Sequence, residues 1–198
     1  MLSQELRFLI KPFEAATRVI WFATLMALLI LLFVAYSLPV REMPNASAMP
    51  VNLFYIVAVI WTCASLYLRR FALSEERTRL LLSGKVDLNS LAGNPRRGRT
   101  VEERLTKLKA LPPAEQRLMV VANAYLHVTL ICSAMNEAVA ILGFVIAITK
   151  AGPEMMLPFW LTALLLNVFM FPRLSRFVEE AAVNPRFAGA PPSTRPMA

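Results

Sequence analysis

One acidic side chain stands alone in a long apolar stretch of this sequence. Glu137 is the only acidic residue between Glu115 and Glu154, and it lies within the run AYLHVTLICSAMNEAVAILGFVIAIT. That run is long enough to cross a bilayer, which takes roughly 20 residues at helical rise. Because an isolated carboxylate in hydrocarbon is costly, the group must be protonated, paired or hydrated. Glu137 is therefore the residue whose chemistry most needs an explanation.

Two polar residues are placed to interact with this carboxyl group. Glu137 precedes Lys150 by 13 residues, and Asn167 follows Glu154 by 13 residues. If the short segment between Lys150 and Glu154 is a turn between antiparallel helices, Glu137 and Asn167 lie at the same depth. This spacing predicts that the amide of Asn167 donates to Glu137. Ser133, one helical turn before Glu137, is a second candidate donor.

A row of small side chains runs beside Glu137. Asn136, Ala140, Gly143 and Ala147 are spaced by four, three and four residues, which places them on one helix face. Ridges of this kind let membrane helices approach closely, so we expect this face to be a helix-packing surface. Because Asn136 is the neighbour of Glu137, the carboxyl group is expected to face protein rather than lipid.

The candidate site for a proton or an ion consists of Glu137, Asn167, Ser133 and Asn136. In one interpretation the hydrogen-bonded side chain of Glu137 holds a helix pair or an oligomer together. In a second, it binds and releases a proton or a cation. A contact with a lipid or a substrate is a third. The sequence does not decide among them.

Other kinds of site are not indicated. His127 is the single histidine, and the two cysteines fall in different apolar stretches, so no set of metal ligands is formed. There is no glycine-rich phosphate loop, nucleophile elbow or zinc signature. We expect neither a metal nor a cofactor, and we do not expect an enzyme.

The elements that must position Glu137 are apolar helices. Charged residues make up 17% of the chain, against about a quarter in soluble domains. Four stretches lack charge apart from Glu137: residues 19–40, 51–68, 119–149 and 155–172. This pattern predicts an all-α integral membrane protein with four transmembrane helices arranged as two antiparallel hairpins. A basic connection of roughly 50 residues would join spans two and three.

The distribution of basic residues predicts the orientation. Nineteen Lys and Arg residues lie on the side of the two termini and the long connection, and two lie on the other side. The positive-inside rule then places both termini in the cytoplasm. We expect the chain to lie in a bacterial inner membrane. The net charge of +8 thus reflects topology, and nucleic acid is not an expected partner. Four arginines at span ends are expected to contact anionic lipid headgroups: Arg69, Arg70, Arg173 and Arg176.

The chain divides into five predicted segments. They are a cytoplasmic amphipathic N-terminal segment (1–18), a first transmembrane hairpin (19–68), a basic cytoplasmic connection (69–112), a long third helix with the fourth span (113–173), and a largely disordered cytoplasmic tail (174–198). Pro12 is expected to interrupt the N-terminal helix. Within the connection, helices are predicted at 74–83 and from Thr100, while Pro113 begins the long third helix.

One helix resembles the ion-carrying helix of rotary ATPase proteolipids. Those helices carry a carboxylate followed by Ala at the next position, Ile four residues on and Gly six residues on, as Glu137, Ala138, Ile141 and Gly143 do here. The resemblance implies an ion-binding carboxylate. No glycine-repeat helix precedes it, however, and Glu137 falls in the first rather than the second helix of its hairpin.

A second resemblance covers more of the chain. The sequence is similar to uncharacterised four-span bacterial membrane proteins in its Pro112-Pro113, Glu137, Gly143, Gly152-Pro153 and Pro172. That group implies the four-span fold and no particular activity. We therefore expect an interaction or assembly protein that forms a homo-oligomer or belongs to a larger membrane complex. The alternative is a component that translocates protons or cations through Glu137.

Overall fold

The computed structural model describes residues 2–38, 51–84, 91 and 99–184, and all regular structure in these residues is helical. The predicted all-α class is confirmed for this part of the chain. A π-helical turn spans Ala147–Ala151, and a 3-10 turn spans Pro153–Met156. The helices are α1 (Gln4–Ser37), α2 (Val51–Ala72), α3 (Glu75–Ser83), α4 (Arg99–Ala110), α5 (Pro113–Ile146), α6 (Leu157–Phe169) and α7 (Leu174–Val183).

In the part of the chain that the structure describes, three helices are long and apolar enough to cross a membrane. They are α1, α2 and the stretch Pro113–Thr149, with 34, 22 and 37 residues. The fourth predicted span is interrupted: α6 has 13 residues, about 20 Å, which is shorter than the hydrocarbon core. Pro153–Phe169 and Leu174–Val183 provide a fourth span only when they are counted together. Pro172 accounts for the interruption, because it offers no backbone N–H to continue the helix.

The chain forms two compact units. The polar unit comprises Met1–Ala16, Phe71–His127 and Arg173–Ala198, and the apolar unit comprises Thr17–Arg70 and Val128–Pro172. The first part of α1 and the first part of α5 thus belong to the polar unit, and their later parts belong to the apolar unit.

The polar unit has its own hydrophobic core. Leu6 and Ile10 of α1 are almost fully buried there, together with apolar residues of α4, α5 and α7. The start of α1 is fixed by Ser3, whose hydroxyl accepts from the N–H of Leu6 at 3.1 Å and donates to Oε2 of Glu115 at 2.7 Å. The backbone N–H of Ser3 donates to Oε1 of the same carboxylate at 3.3 Å. The amphipathic N-terminal segment therefore buries its apolar face against protein.

Pro12 does not interrupt the N-terminal helix, and that prediction was wrong. The helix α1 continues through Pro12 to Ser37. A proline inside a helix removes one hydrogen bond and costs about 3 kcal/mol. Burial of Leu6 and Ile10 before it, and of Thr17 after it, holds the backbone helical on both sides.

Several predicted helix boundaries are confirmed. Ser74 caps α3 by accepting from the N–H of Arg77 at 3.4 Å, and the helix ends before Gly84. Pro113 is the first residue of α5. The segment 174–198 was predicted as a largely disordered tail, and a helix occupies 174–183 of it. The rest of that segment beyond 184, and most of the basic sequence GNPRRGRT, fall outside the described residues.

Two indole groups join α1 to α6 within the apolar unit. Nε1 of Trp21 donates to the backbone carbonyl of Asn167 at 2.8 Å, and Nε1 of Trp160 donates to that of Leu28 at 2.8 Å. The bonded residues are seven apart on each helix, and their order is reversed between the helices. The helices α1 and α6 therefore run antiparallel, with the two bonds about 10 Å apart along the axis.

The packing of α1 predicts a large effect of truncating its buried face. Replacing Leu6 by Ala should lower the free energy of unfolding by about 2–5 kcal/mol, because the cavity lies in a closed core. Leu80→Ala is the matched control: Leu80 belongs to the same unit but is 56% exposed, so its loss should stay within about 0.5 kcal/mol. Denaturant unfolding of the detergent-solubilised protein measures both, and equal losses would contradict the burial of α1.

Candidate functional site

Asn136 is the polar centre of the apolar unit. It is fully buried, and its Oδ1 accepts from the hydroxyl of Ser65 on α2 at 2.9 Å. Its Nδ2 donates to the sulfur of Met170, the residue after α6, at 3.4 Å. Nearby, the thiol of Cys132 donates to the backbone carbonyl of Ser65 at 3.6 Å. One amide therefore connects α5 with both α2 and the end of α6.

Glu137 lies at the edge of this packed interior. Its side chain is half-buried and forms no hydrogen bond or ion pair with any residue that the structure describes. Successive helix residues are about 100° apart, so Glu137 projects about 100° from Asn136. Ser133 and Ala140 are buried on one side of it, whereas Ile141 is 44% exposed on the other. The carboxyl group thus occupies the boundary between the protein interior and the outer surface of α5.

An exposed stripe along α5 and the π-helical turn after it contains Glu137. Its members are Leu130, Ala134, Glu137, Ile141 and Ile148, spaced by four, three, four and seven residues. Apart from the half-buried Glu137, each is exposed. Spacing of this kind places side chains in one row along a helix, as in helix–helix seams. We call this row the α5 stripe.

Asn167 is 1% exposed and does not form the predicted hydrogen bond with Glu137. Its Nδ2 donates to the carbonyl of Ala163, one turn earlier in the same helix, at 2.9 Å. Since a carbonyl can only accept, this bond fixes the orientation of the amide and directs Oδ1 elsewhere. Oδ1 has no hydrogen-bond partner among the described residues. The amide of Asn167 thus donates to the carbonyl of Ala163 in its own helix, and the predicted bond to Glu137 is not formed.

Glu137 and Asn167 nevertheless lie at the same level of the apolar unit. Asn136 contacts Met170 near one end of the α5–α6 contact, and Gly143 meets Phe159 nearer the other. Glu137 lies between the two contacts on α5, and Asn167 lies between them on the opposite segment. The two residues are therefore at the same level along the helix axes.

The ridge of small residues on α5 is a tightly packed surface. Asn136, Ala140, Gly143 and Ala147 are all buried. A Cβ atom on Gly143 would lie 2.6 Å from Cβ of Phe159 and 3.2 Å from the carbonyl oxygen of Met156. Because such distances are shorter than van der Waals contact, only glycine allows the two backbones to approach this closely.

Three residues that form hydrogen bonds within the apolar unit were not predicted from the sequence. Ser65 binds Asn136, while Trp21 and Trp160 bind backbone carbonyls. A signal existed for the tryptophans, because a buried indole N–H needs an acceptor. Ser65 carried no comparable signal, since a serine in an apolar helix most often satisfies itself within its own helix.

The four arginines predicted to meet lipid headgroups differ in their surroundings. Arg176 bonds Glu180 of its own helix at 2.9 Å, and both side chains are exposed. Arg173 and Arg70 are exposed, whereas Arg69 is half-buried. Neither Arg69 nor Arg70 forms a hydrogen bond or ion pair with a described residue.

Within the described ranges, no group of three His, Cys, Asp or Glu residues is arranged to hold a metal ion. The exposed imidazole of His127 lies 2.8 Å from the carbonyl of Asn123, one turn earlier in α5. No family model, curated protein or solved structure matches this chain. The function must therefore be inferred from the geometry around Asn136 and Glu137.

The hydrogen bond between Ser65 and Asn136 can be measured with a double-mutant cycle. Asn136→Ala leaves a buried hydroxyl unpaired and should cost about 1–3 kcal/mol of stability. In a protein that already carries Ser65→Ala, the substitution Asn136→Ala should cost less stability than in the parent protein. The coupling energy between the two substitutions should be about 0.5–2 kcal/mol. Unfolding of the purified protein by denaturant gives all four free energies. Strict additivity would show that the two side chains do not interact.

The close approach at Gly143 predicts a steric penalty. Gly143→Ala should destabilise the protein by about 1–3 kcal/mol, because the new methyl group overlaps Phe159. Gly84→Ala is the control, since its Cβ would lie 3.4 Å from the nearest atom and its φ of −74° suits alanine. Thermal unfolding should separate the two variants. Equal stability of both would show that the helices lie further apart.

Proposed function

We propose that this chain is a multi-pass membrane protein of the interaction or assembly type. It associates through the α5 stripe with a second copy of itself or with another membrane subunit. The observation that carries the proposal is the half-buried carboxyl group of Glu137, which has no partner in the described part of the chain and lies within an exposed helix row.

The physics of apolar media favours this reading. Lipid tails are as apolar as leucine, so helices associate there through close packing and interhelical hydrogen bonds. A carboxyl group without an internal partner gains most from a donor or acceptor on a neighbouring helix. The small side chain of Ala134, one turn before Glu137, leaves room for such a helix to approach closely. Leu130 and Ile141 would flank the polar contact with apolar packing.

The location belongs to the same proposal. We place four spans in a bacterial inner membrane, arranged as two antiparallel hairpins with both termini in the cytoplasm. The support is the distribution of nineteen basic residues against two, together with the lengths of the apolar helices. Residues 153–169 and 174–183 form the fourth span as one interrupted element.

A second candidate function is the translocation of a proton or a cation. The unpaired Oδ1 of Asn167 favours it, because this atom is buried at the level of Glu137. The hydroxyl of Ser133, buried one turn before Glu137, adds a third oxygen atom on that side of the helix. Oxygen atoms around one carboxylate are suited to binding a small cation.

Substitutions of Glu137 test the association. Glu137→Leu should weaken it by about fivefold to thirtyfold, the equivalent of 1–2 kcal/mol for an interhelical polar contact. Glu137→Gln keeps size and hydrogen bonding, so it should stay within about threefold of the parent protein. Glu154→Gln is the control, because that exposed carboxyl group lies outside the stripe. Energy transfer between labelled copies in vesicles, and recovery of copurifying subunits in mild detergent, measure the effect.

The same variants separate the two functions. If Glu137→Leu assembles as well as the parent protein, the assembly proposal is rejected. If Glu137→Gln assembles normally but abolishes proton or sodium flux that the parent protein supports in vesicles, translocation replaces it. Retention of both association and flux by every variant would remove Glu137 from the function.

A further inference from the structure

Arg69 occupies an unusual position at the end of α2. It follows the uncharged stretch 51–68 and lies in the last turn of the helix. Ser65, one turn earlier on the same face, is buried against Asn136. Arg69 therefore starts from the face of α2 that packs on α5, about 6 Å further along the axis. This placement explains why it is half-buried while its neighbour Arg70 is exposed.

The apolar unit supplies no counter-charge for this guanidinium group among its described residues. The acidic residues of this unit that the structure describes are Glu137 and Glu154. Glu154 lies just before α6, beyond the π-helical end of α5. Glu137 projects about 140° around α5 from Cys132, the residue that contacts α2. Arg69 forms no ion pair or hydrogen bond with either carboxylate or with any other described residue.

Because this half-buried arginine has no counter-ion among the described residues, it offers a site for an external anion. The guanidinium group presents a planar fork of N–H donors that matches two oxygens of a phosphate group. Arg69 stands where the apolar stretch of α2 ends, and lipid headgroups meet a spanning helix at that depth. The exposed Arg70 adds positive charge next to it.

We propose that Arg69 binds the phosphate of an anionic phospholipid at the inner end of α2. The contact is a specific site, in contrast to the general attraction that exposed arginines exert on a charged membrane surface. Arg176 illustrates that contrast, because its charge is already engaged by Glu180. The inference is independent of the association through the α5 stripe, since it concerns the opposite side of α5.

Lipid retention by the full-length protein tests the site. Purified protein in mild detergent is mixed with phosphatidylglycerol or phosphatidylcholine, and bound lipids are counted by native mass spectrometry. The parent protein should retain phosphatidylglycerol preferentially, and Arg69→Gln should lower its apparent affinity by roughly tenfold, as expected for a charge-assisted contact. Arg70→Gln is the matched control and should change it by less than about twofold, as an exposed charge does.

Two further comparisons keep the test decisive. Arg69→Lys retains the charge and loses the fork, so affinity should fall by about threefold while Arg70→Lys leaves it unchanged. These two lysine variants replace the glutamine variants in the test if Arg69→Gln does not fold. Equal losses for the substitutions at 69 and 70 would overturn the proposal in favour of a diffuse charge effect. Displacement of the bound lipid by millimolar inorganic phosphate would overturn it in favour of a soluble anion.

Discussion

The buried amide of Asn136 sets the arrangement on which the apolar unit depends. In an apolar environment an unpaired amide is expensive, so both its oxygen and its nitrogen must find partners. The hydroxyl of Ser65 donates to the oxygen, and the sulfur of Met170 accepts from the nitrogen. These two bonds hold α2 and the end of α6 in a defined register along α5. Because Asn136 points inward, Glu137 must point about 100° away, towards the edge of the packed surface. The edge position of the carboxyl group is thus a geometric consequence of the burial of its neighbour.

The end of α6 shows how the apolar unit accommodates a helix that stops early. Helix ends leave carbonyl groups unpaired, and these are costly away from water. The backbone N–H groups of Met170 and Phe171 bond the carbonyls of Leu166 and Val168. The carbonyl of Asn167 is left over, and Trp21 provides its donor. The ring of Trp21 also meets that of Phe171 edge-on, with centroids 5.0 Å apart.

The sequence predicted features that depend on local chemistry and missed those that depend on competition among partners. The helix at 74–83 and the start of α5 at Pro113 each follow from a few neighbouring residues, and the structure agrees with them. The interruption at Pro12 was wrong, because tertiary burial outweighed one lost hydrogen bond. The donor of Asn167 was assigned to Glu137, but a carbonyl in the same helix lay closer. No property of the sequence ranks such alternatives, since their distances exist only after folding.

The core of the polar unit joins residues that are made at different times during synthesis. It includes Leu6 and Ile10 as well as Leu174 and Val178, which follow much later in the chain. At about 5–20 residues per second, the start of α1 waits roughly 10–30 s for these neighbours. During that interval the part of its apolar face that packs with Leu174 and Val178 stays uncovered. This segment of α1 thus needs temporary cover until α7 is made.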